Sequence, residues 1–593
     1  MDYRQLAAER RKRIACNNCR QERLAKVEHT ITCSPEQKEK LPQEYLINHL
    51  LDLYFNHLGN QALLTDLEKL KRSVRENTCD RFLLYSLMSV AARYSKREEL
   101  ETYPYLAKGA RFADIATSMI NEILMGPSTL DHIHGILLLS LHELGRYQTN
   151  RCWRYSGLAS RMICELGLHK DKLFDEEPDT VLSIEKWLLH ESRRRAYWTC
   201  HMYDVYGAAC TGLPMCMHIE DSNVLLPLDI DMLKTADDIY QETFDGSNIV
   251  HYRVLRNSMT SLPEGITFSI SKSSLFKKRG EVNQMGLTAQ ITKGNVLLGN
   301  IIRSLNRETN VKNPFSFYRL GSDYYLYDKC LTAWAEELPF QYRNTIENLE
   351  KYKKMNPVQL TQFFTVHILH YATVALLNRP ALLLADILNH DLDPQTKENI
   401  LHSAQKCTNA ANNVTMLLKD SNYVMDRIPV YVAYLVYISG TVVINITQGV
   451  YHQNIEHLLE GYLNFLNECR SYWAVADKFY LMIRDLYLMR KNNYDQGRQT
   501  ASLPSSSASP QEVSASLLNQ MDADNQSELV QQENMINSIA SNPVLACLSG
   551  NFQQQCVDVS GLFLSLSHPL GYTYNDDGSA VSSFDLWLQQ QMK

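Results

Sequence analysis

The stretch His190-Glu191-Ser192-Arg193-Arg194-Arg195-Ala196-Tyr197-Trp198 sets an acid, three consecutive arginines and a Trp side by side. On one helix these residues permit ion pairing, bidentate carboxylate contacts and cation–π packing, so the arginines read as ties between helices rather than as a ligand- or partner-binding set. Outward from this stretch the pattern stays helical from about Tyr45 to Asn493. Apolar residues recur at three and four, as in Phe82-Leu83-Leu84-Tyr85-Ser86-Leu87-Met88-Ser89-Val90-Ala91. Period-two alternation is scarce, so strands are expected to contribute little. Gly126-Pro127, Glu177-Pro178, Pro214, Pro227, Asn356-Pro357 and Pro394 mark loops between helices. The expectation is an all-α domain over 45–495, with a loop insertion near 229–281 where acids, Ser, Thr and a basic Phe276-Lys277-Lys278-Arg279-Gly280 knot interrupt the helical pattern.

A chain of 593 residues holds two to four average domains or one large helical one. A net charge of -7 spread over that length excludes an electrostatic nucleic-acid binder acting as a whole, so any DNA contact is local. Fourteen cysteines, scattered singly, suit a reducing compartment and small buried apolar roles. The beginning Met1-Asp2-Tyr3-Arg4 carries no apolar run of signal-peptide length, and no window reaches about 18 uninterrupted apolar residues. The chain therefore reads as intracellular, with no membrane partner.

The two ends differ in composition. The first 26 residues carry eight basic groups (Arg4, Arg10, Arg11, Lys12, Arg13, Arg20, Arg23, Lys26) against three acids (Asp2, Glu9, Glu22), a local excess of +5. Arg10-Arg11-Lys12-Arg13 suits nuclear import or phosphate contact; the alternative is a solvated tail. Residues 496–593 turn Ser-rich (Ala501-Ser502-Leu503-Pro504-Ser505-Ser506-Ser507) and then Gln- and Asn-rich. Such a tail buries too little apolar surface to offset its ordering entropy, so disorder is expected there and in the N-terminal segment. Within it, Phe563, Leu564 and Leu566 form one apolar group. Ser583-Phe584-Asp585-Leu586-Trp587-Leu588 mixes an acid with bulky apolar residues, as an activation segment docking into a coactivator groove would, or a chain end docking on its own domain.

The arginine stretch, with Gly212-Leu213-Pro214 and Leu226-Pro227 after it, resembles the signature of the regulatory domain of fungal zinc-cluster transcription factors. There an acid, two or three arginines and a Trp precede a Gly-x-Pro turn. The resemblance extends to Arg151-Cys152-Trp153-Arg154-Tyr155-Ser156-Gly157-Leu158-Ala159-Ser160-Arg161-Met162 leading into Glu165-Leu166-Gly167-Leu168-His169, and to Asp204, Leu331-Thr332-Ala333-Trp334, Leu338-Pro339, His370-Tyr371 and Asn378-Arg379-Pro380. Together these span about 45–480. The resemblance implies structural roles for Glu191, Arg193, Arg194, Arg195, Trp198, Asp204, Gly212 and Pro214. Two positions depart from it: Val205 and Leu213 stand where the family commonly has arginines, which puts a local ion-pair network in doubt.

Cys16-Asn17-Asn18-Cys19-Arg20, preceded by Arg11-Lys12-Arg13-Ile14-Ala15, resembles the opening of that family's binuclear zinc cluster, in which six cysteines hold two zinc ions. The family pattern puts a third cysteine at position 26, which here is Lys26; Glu22 and Ala25 replace basic residues, and only Cys33 follows nearby. Three thiolates do not supply a six-thiolate cage whose folding depends on the metal. The readings left open are a single zinc held by Cys16, Cys19, His29 and Cys33, a remnant that binds no metal, and a transcript lacking an exon. Arg10, Arg11, Lys12, Arg13, Arg20 and Arg23 are the candidate DNA contacts; without the cage they supply salt-sensitive affinity for phosphate and no sequence readout.

The resulting expectation is a nuclear transcription regulator, not an enzyme, whose partners are DNA and a coactivator or related transcription factor. The rivals are a helical scaffold without DNA binding and an all-helical magnesium enzyme built on Asp237-Asp238-Ile239-Tyr240-Gln241-Glu242, for which the carboxylate spacing is wrong and a second metal motif is missing. His132 and His134 read as partly buried histidines rather than metal ligands. Three heptads of coiled-coil seam are not visible after Cys33, and the oligomeric state stays open.

Overall fold

The computed structural model describes residues 41–58, 66–100, 108–175, 181–229, 238–256, 266–272, 286–306, 314–385, 392–446, 453–501, 572–574 and 580–582. The backbone divides into two compact units, Met1–Ile47 and Asn48–Lys593. Apart from α1 (Glu44–Leu58), the helices and strands below all lie in the second.

The described residues are overwhelmingly helical, as the apolar periodicity requires. After α1 come α2 (Leu67–Arg75), α3 (Arg81–Ala91), α4 (Ala110–Ser118), α5 (Ile120–Met125), α6 (Leu130–Gly145) and α7 (Thr149–Glu165). Capping fixes several starts: the Asp80 carboxylate accepts from the Leu83 amide and the Thr129 hydroxyl from that of His132. From Phe82 to Ala91 every residue of α3 is buried, which explains why its sequence is apolar all round rather than on one face. It packs on α6 so closely that a Cβ added at Gly135 would overlap the Phe82 ring.

The long α8 (Ile184–Thr211) follows a short strand, β1 (Val181–Ser183), and stops at Gly212, whose φ of 74° is the left-handed conformation glycine adopts without penalty. Beyond it lie α9 (Leu287–Leu305), α10 (Asp323–Glu336), α11 (Ile346–Lys353), α12 (Pro357–Ala385), α13 (Pro394–Leu418), α14 (Val432–Ile446), α15 (Gln453–Cys469) and α16 (Ala474–Ala501). Helix α12 lies among α9, α10, α11, α13 and α14. Its segment Pro357–Leu382 is long and apolar enough to cross a membrane, and most of it is buried inside the bundle, as the central helix of a large core would be.

Three findings differ from the sequence reading. The stretch 229–281 holds β2 (Asp238–Glu242), β3 (Ile249–Arg256) and β4 (Ile266–Lys272), which with β1 form an antiparallel sheet in the order β1-β4-β3-β2. Ile239, Val250, Tyr252 and Val254 are buried with Leu173, Leu182, Trp187, Leu225 and Leu228 in a small second core, so the insertion is a packed element where a loop was expected. Burial contributes about 1.5–3 kcal/mol for each large apolar side chain before ordering entropy is charged. Second, the last helix runs to Ala501, past the composition change at Asp495, and β5 (Tyr572–Tyr574) pairs with β6 (Ala580–Ser582) inside the Gln- and Asn-rich tail. Third, Cys200, Cys407 and Cys469 are the fully buried cysteines among nine described ones, while Cys164 and Cys216 are exposed, so the apolar role holds for only some of them.

Candidate functional site

Glu191, Arg194, Arg195 and Trp198 are spaced i, i+3, i+4, i+7 and share one face of α8. All four are buried, and they face the segment 225–229 and the sheet. The Arg194 guanidinium forks onto Asp171, with Nε donating to Oδ2 at 2.7 Å and Nη2 to Oδ1 at 3.2 Å. Its remaining donors reach Gln241 Oε1 at 3.0 Å and the Tyr252 hydroxyl at 3.3 Å, on β2 and β3. Arg195 donates to Glu191 Oε1 at 3.1 Å and to the Leu228 carbonyl at 2.7 Å, while the Leu228 amide donates to the same Glu191 oxygen at 2.9 Å. The Trp198 indole donates to the Leu225 carbonyl at 2.8 Å, and its ring meets those of Tyr197 and His201 edge-on. A cation–π stack does form elsewhere, with Arg93 4.1 Å above the Trp473 ring.

Asp171 closes the network from the other side. Besides Arg194 it accepts from the Leu173 and Leu225 amides at 3.0 and 3.2 Å, and its own amide donates to Asn223 at 2.9 Å. Burial pushes the Asp171 carboxyl up, but the Arg194 charge and these hydrogen bonds outweigh it and hold the group below the usual carboxylate range. Two guanidiniums face two carboxylates, Asp171 and Glu191, so the buried charges cancel. This set of side chains clamps α8, the segment 225–228 and two strands into one joint.

The neighbouring family positions act on the backbone. Asp204 accepts from the Cys216 and Met217 amides at 2.6 and 2.7 Å, which folds the chain back after Gly212; Pro214 is exposed in that turn. Two amides thus bind the carboxylate next to which an arginine was expected, and Val205 is instead buried against Gly299 of α9. Arg193 is half-buried and outside the set bonded to Asp171 and Glu191. Below the joint, half-buried Asp229 receives the Thr288 hydroxyl and amide at the start of α9, and Lys293 pairs with Glu242 at 2.6 Å.

The other landmarks are internal ties too. Trp334 donates to Gln290 at 2.9 Å and meets the His370 ring edge-on. Asn378 accepts from Tyr324 and Ser403 at 3.1 and 2.6 Å, and Arg379 donates to Thr441 at 3.3 Å.

Cys16, Cys19, His29 and Cys33, and the basic residues Arg10, Arg11, Lys12, Arg13, Arg20 and Arg23, lie outside the described residues. Among the described ones no group of three or more His, Cys, Asp or Glu is placed to hold a metal. Asp238 and Glu242 stand at opposite ends of strand β2 rather than on a helix, engaged by His251 at 2.8 Å and by Lys293 respectively, which corrects the magnesium-site geometry imagined for them. His134 is fully buried rather than partly so, and burial lowers its pKa to about 4; half-buried His132 sits 3.7 Å from Asp80. Asp171, Gln241, Tyr252 and Asp229 were missed from the sequence. Asp171 follows the Gly167-Leu168-His169 landmark by two residues, and Gln241 and Tyr252 become opposed to it only through strand pairing.

Residues 51–332 match the fungal specific transcription factor domain, so this joint lies inside a domain of that class. The chain is 25% identical over 359 residues to an uncharacterized transcriptional regulatory protein of Schizosaccharomyces pombe, covering 59% of this chain and 34% of that protein. It is 24% identical over 491 residues to a Zn(2)-C6 fungal-type transcription factor of Fusarium oxysporum f. sp. lycopersici, covering 80% of this chain and 49% of that one. The chain thus spans from a third to about half the length of these curated relatives.

Proposed function

We propose that this protein is a nuclear transcription regulator rather than an enzyme, and that its helical domain controls recruitment of the transcription machinery. The observation that carries the reading is the fungal specific transcription factor domain over residues 51–332, with its arginine signature built into a load-sharing joint between helix and sheet. A buried network whose donors and acceptors are largely engaged suits a rigid scaffold for regulatory contacts better than a reaction centre. The full chain tethered to a foreign DNA-binding domain should change reporter output in a fungal host in either direction. An unchanged output, with the chain present in the nucleus, sinks the reading.

The donor set Cys16, Cys19, His29 and Cys33 does not fit a two-zinc cluster, because three thiolates and one imidazole are short of the six thiolates it requires. It fits at most one tetrahedral zinc. Specific DNA contact is therefore borrowed from a DNA-binding partner, with the Arg10–Arg13 arm adding phosphate affinity. Promoter occupancy that survives zinc chelation, with a partner that carries no zinc, supports this route; direct, chelator-sensitive binding by the purified chain to one sequence refutes it.

A further inference from the structure

We propose that the outer face of α7 is a docking site for the chain's own acidic C-terminal segment, residues 575–588. Trp153, Arg154, Gly157, Arg161 and Cys164 recur on one side of this helix, and Trp153, Arg154, Arg161 and Cys164 are exposed there. Arg154 and Arg161 make no ion pair or hydrogen bond with a described residue. Between them the helix surface is open: a Cβ added at Gly157 would meet nothing within 4 Å, while the Trp153 ring leans toward Gly207 of α8. At the rim, Arg151 pairs with Glu143 at 3.7 Å, and Glu165, the one acid of α7, is bound by Ser128 at 2.6 Å. The face therefore combines an aromatic platform, two unengaged guanidiniums and a glycine gap, which together suit an acidic segment bearing bulky apolar residues.

The chain contains such a segment. From Gln499 to Met592 there is no Lys or Arg and there are nine acids, and the last three, Asp576, Asp577 and Asp585, flank or enter Phe584-Asp585-Leu586-Trp587-Leu588. The 73 residues between Ala501 and Asn575 allow a contour of about 240 Å, enough to reach any face of the domain. Tethering also removes the need for tight binding. At an effective concentration on the order of 1 mM, a site of about 100 μM affinity is roughly nine-tenths occupied. The proposal stands on charge complementarity and the open face of α7 and does not depend on the transcriptional reading.

The test uses the full chain with a photo-crosslinker, Asn150→p-benzoylphenylalanine, at an exposed position on the same face. Irradiation should give a monomeric product joining position 150 to a peptide within 575–588. The charge reversal R154E/R161E should lower that yield roughly fivefold, since two surface ion pairs are lost. D576R/D577R/D585R alone should lower it likewise, and the combined five-site variant should restore it. Crosslinks only to other segments, a dimer-sized product joining two copies, or a yield indifferent to both reversals would overturn the proposal. Because the outcomes are read on the purified chain, they are separate from any reporter result.

Discussion

Arg194→Met removes the guanidinium and leaves Asp171 buried at 2% side-chain exposure, held only by the Leu173 and Leu225 amides. Breaking a buried ion pair from one side costs about 3–5 kcal/mol, because the remaining charge keeps its desolvation penalty without its partner. The converse change, Asp171→Ala, leaves Arg194 with Gln241, Tyr252 and Glu191 (3.5 Å), so its cost is expected nearer to about 1–3 kcal/mol. R194M/D171N should recover about 2 kcal/mol of the single R194M loss, since the stranded charge is gone. The assay is urea unfolding followed by tryptophan fluorescence, because Trp187 and Trp198 sit in and beside the joint. pH gives an independent sign. In the wild type Asp171 titrates below its unfolded value of 3.8, so its contribution is complete at pH 7 and at pH 5 and is lost only as pH falls through the folded value. In R194M burial without the guanidinium raises the carboxyl instead, so the gap to wild type should narrow as pH drops from 7 toward 4. An R194M variant within about 1 kcal/mol of wild type, or a D171N change that adds to its loss, refutes the view that this pair holds the joint.

Gly212→Ala forces a side chain into the left-handed conformation at the end of α8 and should cost about 1–2 kcal/mol, measured as a lower urea midpoint. Gly135→Ala should cost more than an ordinary surface change, roughly 1–3 kcal/mol, because its methyl must displace the buried Phe82 ring; a neutral result in thermal melting shows that the α3–α6 contact yields. Burial lowers the pKa values of His134 and His201 to about 4, and burial with His370 lowers that of His367 to about 3. The unfolded chain binds protons at these sites from pH 6.5 downward while the folded chain does not, so stability should fall on the order of 1 kcal/mol per pH unit per histidine between about 6 and 4. A melting temperature flat across that range would contradict their neutral burial. Asp204→Ala strips acceptors from the Cys216 and Met217 amides, and faster hydrogen exchange should appear at 216–217 and spare the Leu225 amide held by Asp171.

The helical class was legible in the recurrence of apolar residues at three and four over 45–495, because such residues share one face only when the backbone is helical. The arginine signature was legible too: Glu191, Arg194, Arg195 and Trp198 share a face by spacing alone. What they face was not. Local sequence around Asp238–Glu242 suggested an acidic helix or loop, because its burial alternates only once β3 lies alongside and Leu173, Trp187 and Leu225 cover the sheet. Asp171 carries no mark that distinguishes it from a surface acid; its role exists only because folding places it 2.7 Å from a guanidinium 23 residues away in a dry interior. Periodicity records which residues must leave water, a property of each short segment. Which charge meets which is decided by chain crossings between distant segments, and that pairing belongs to the tertiary structure.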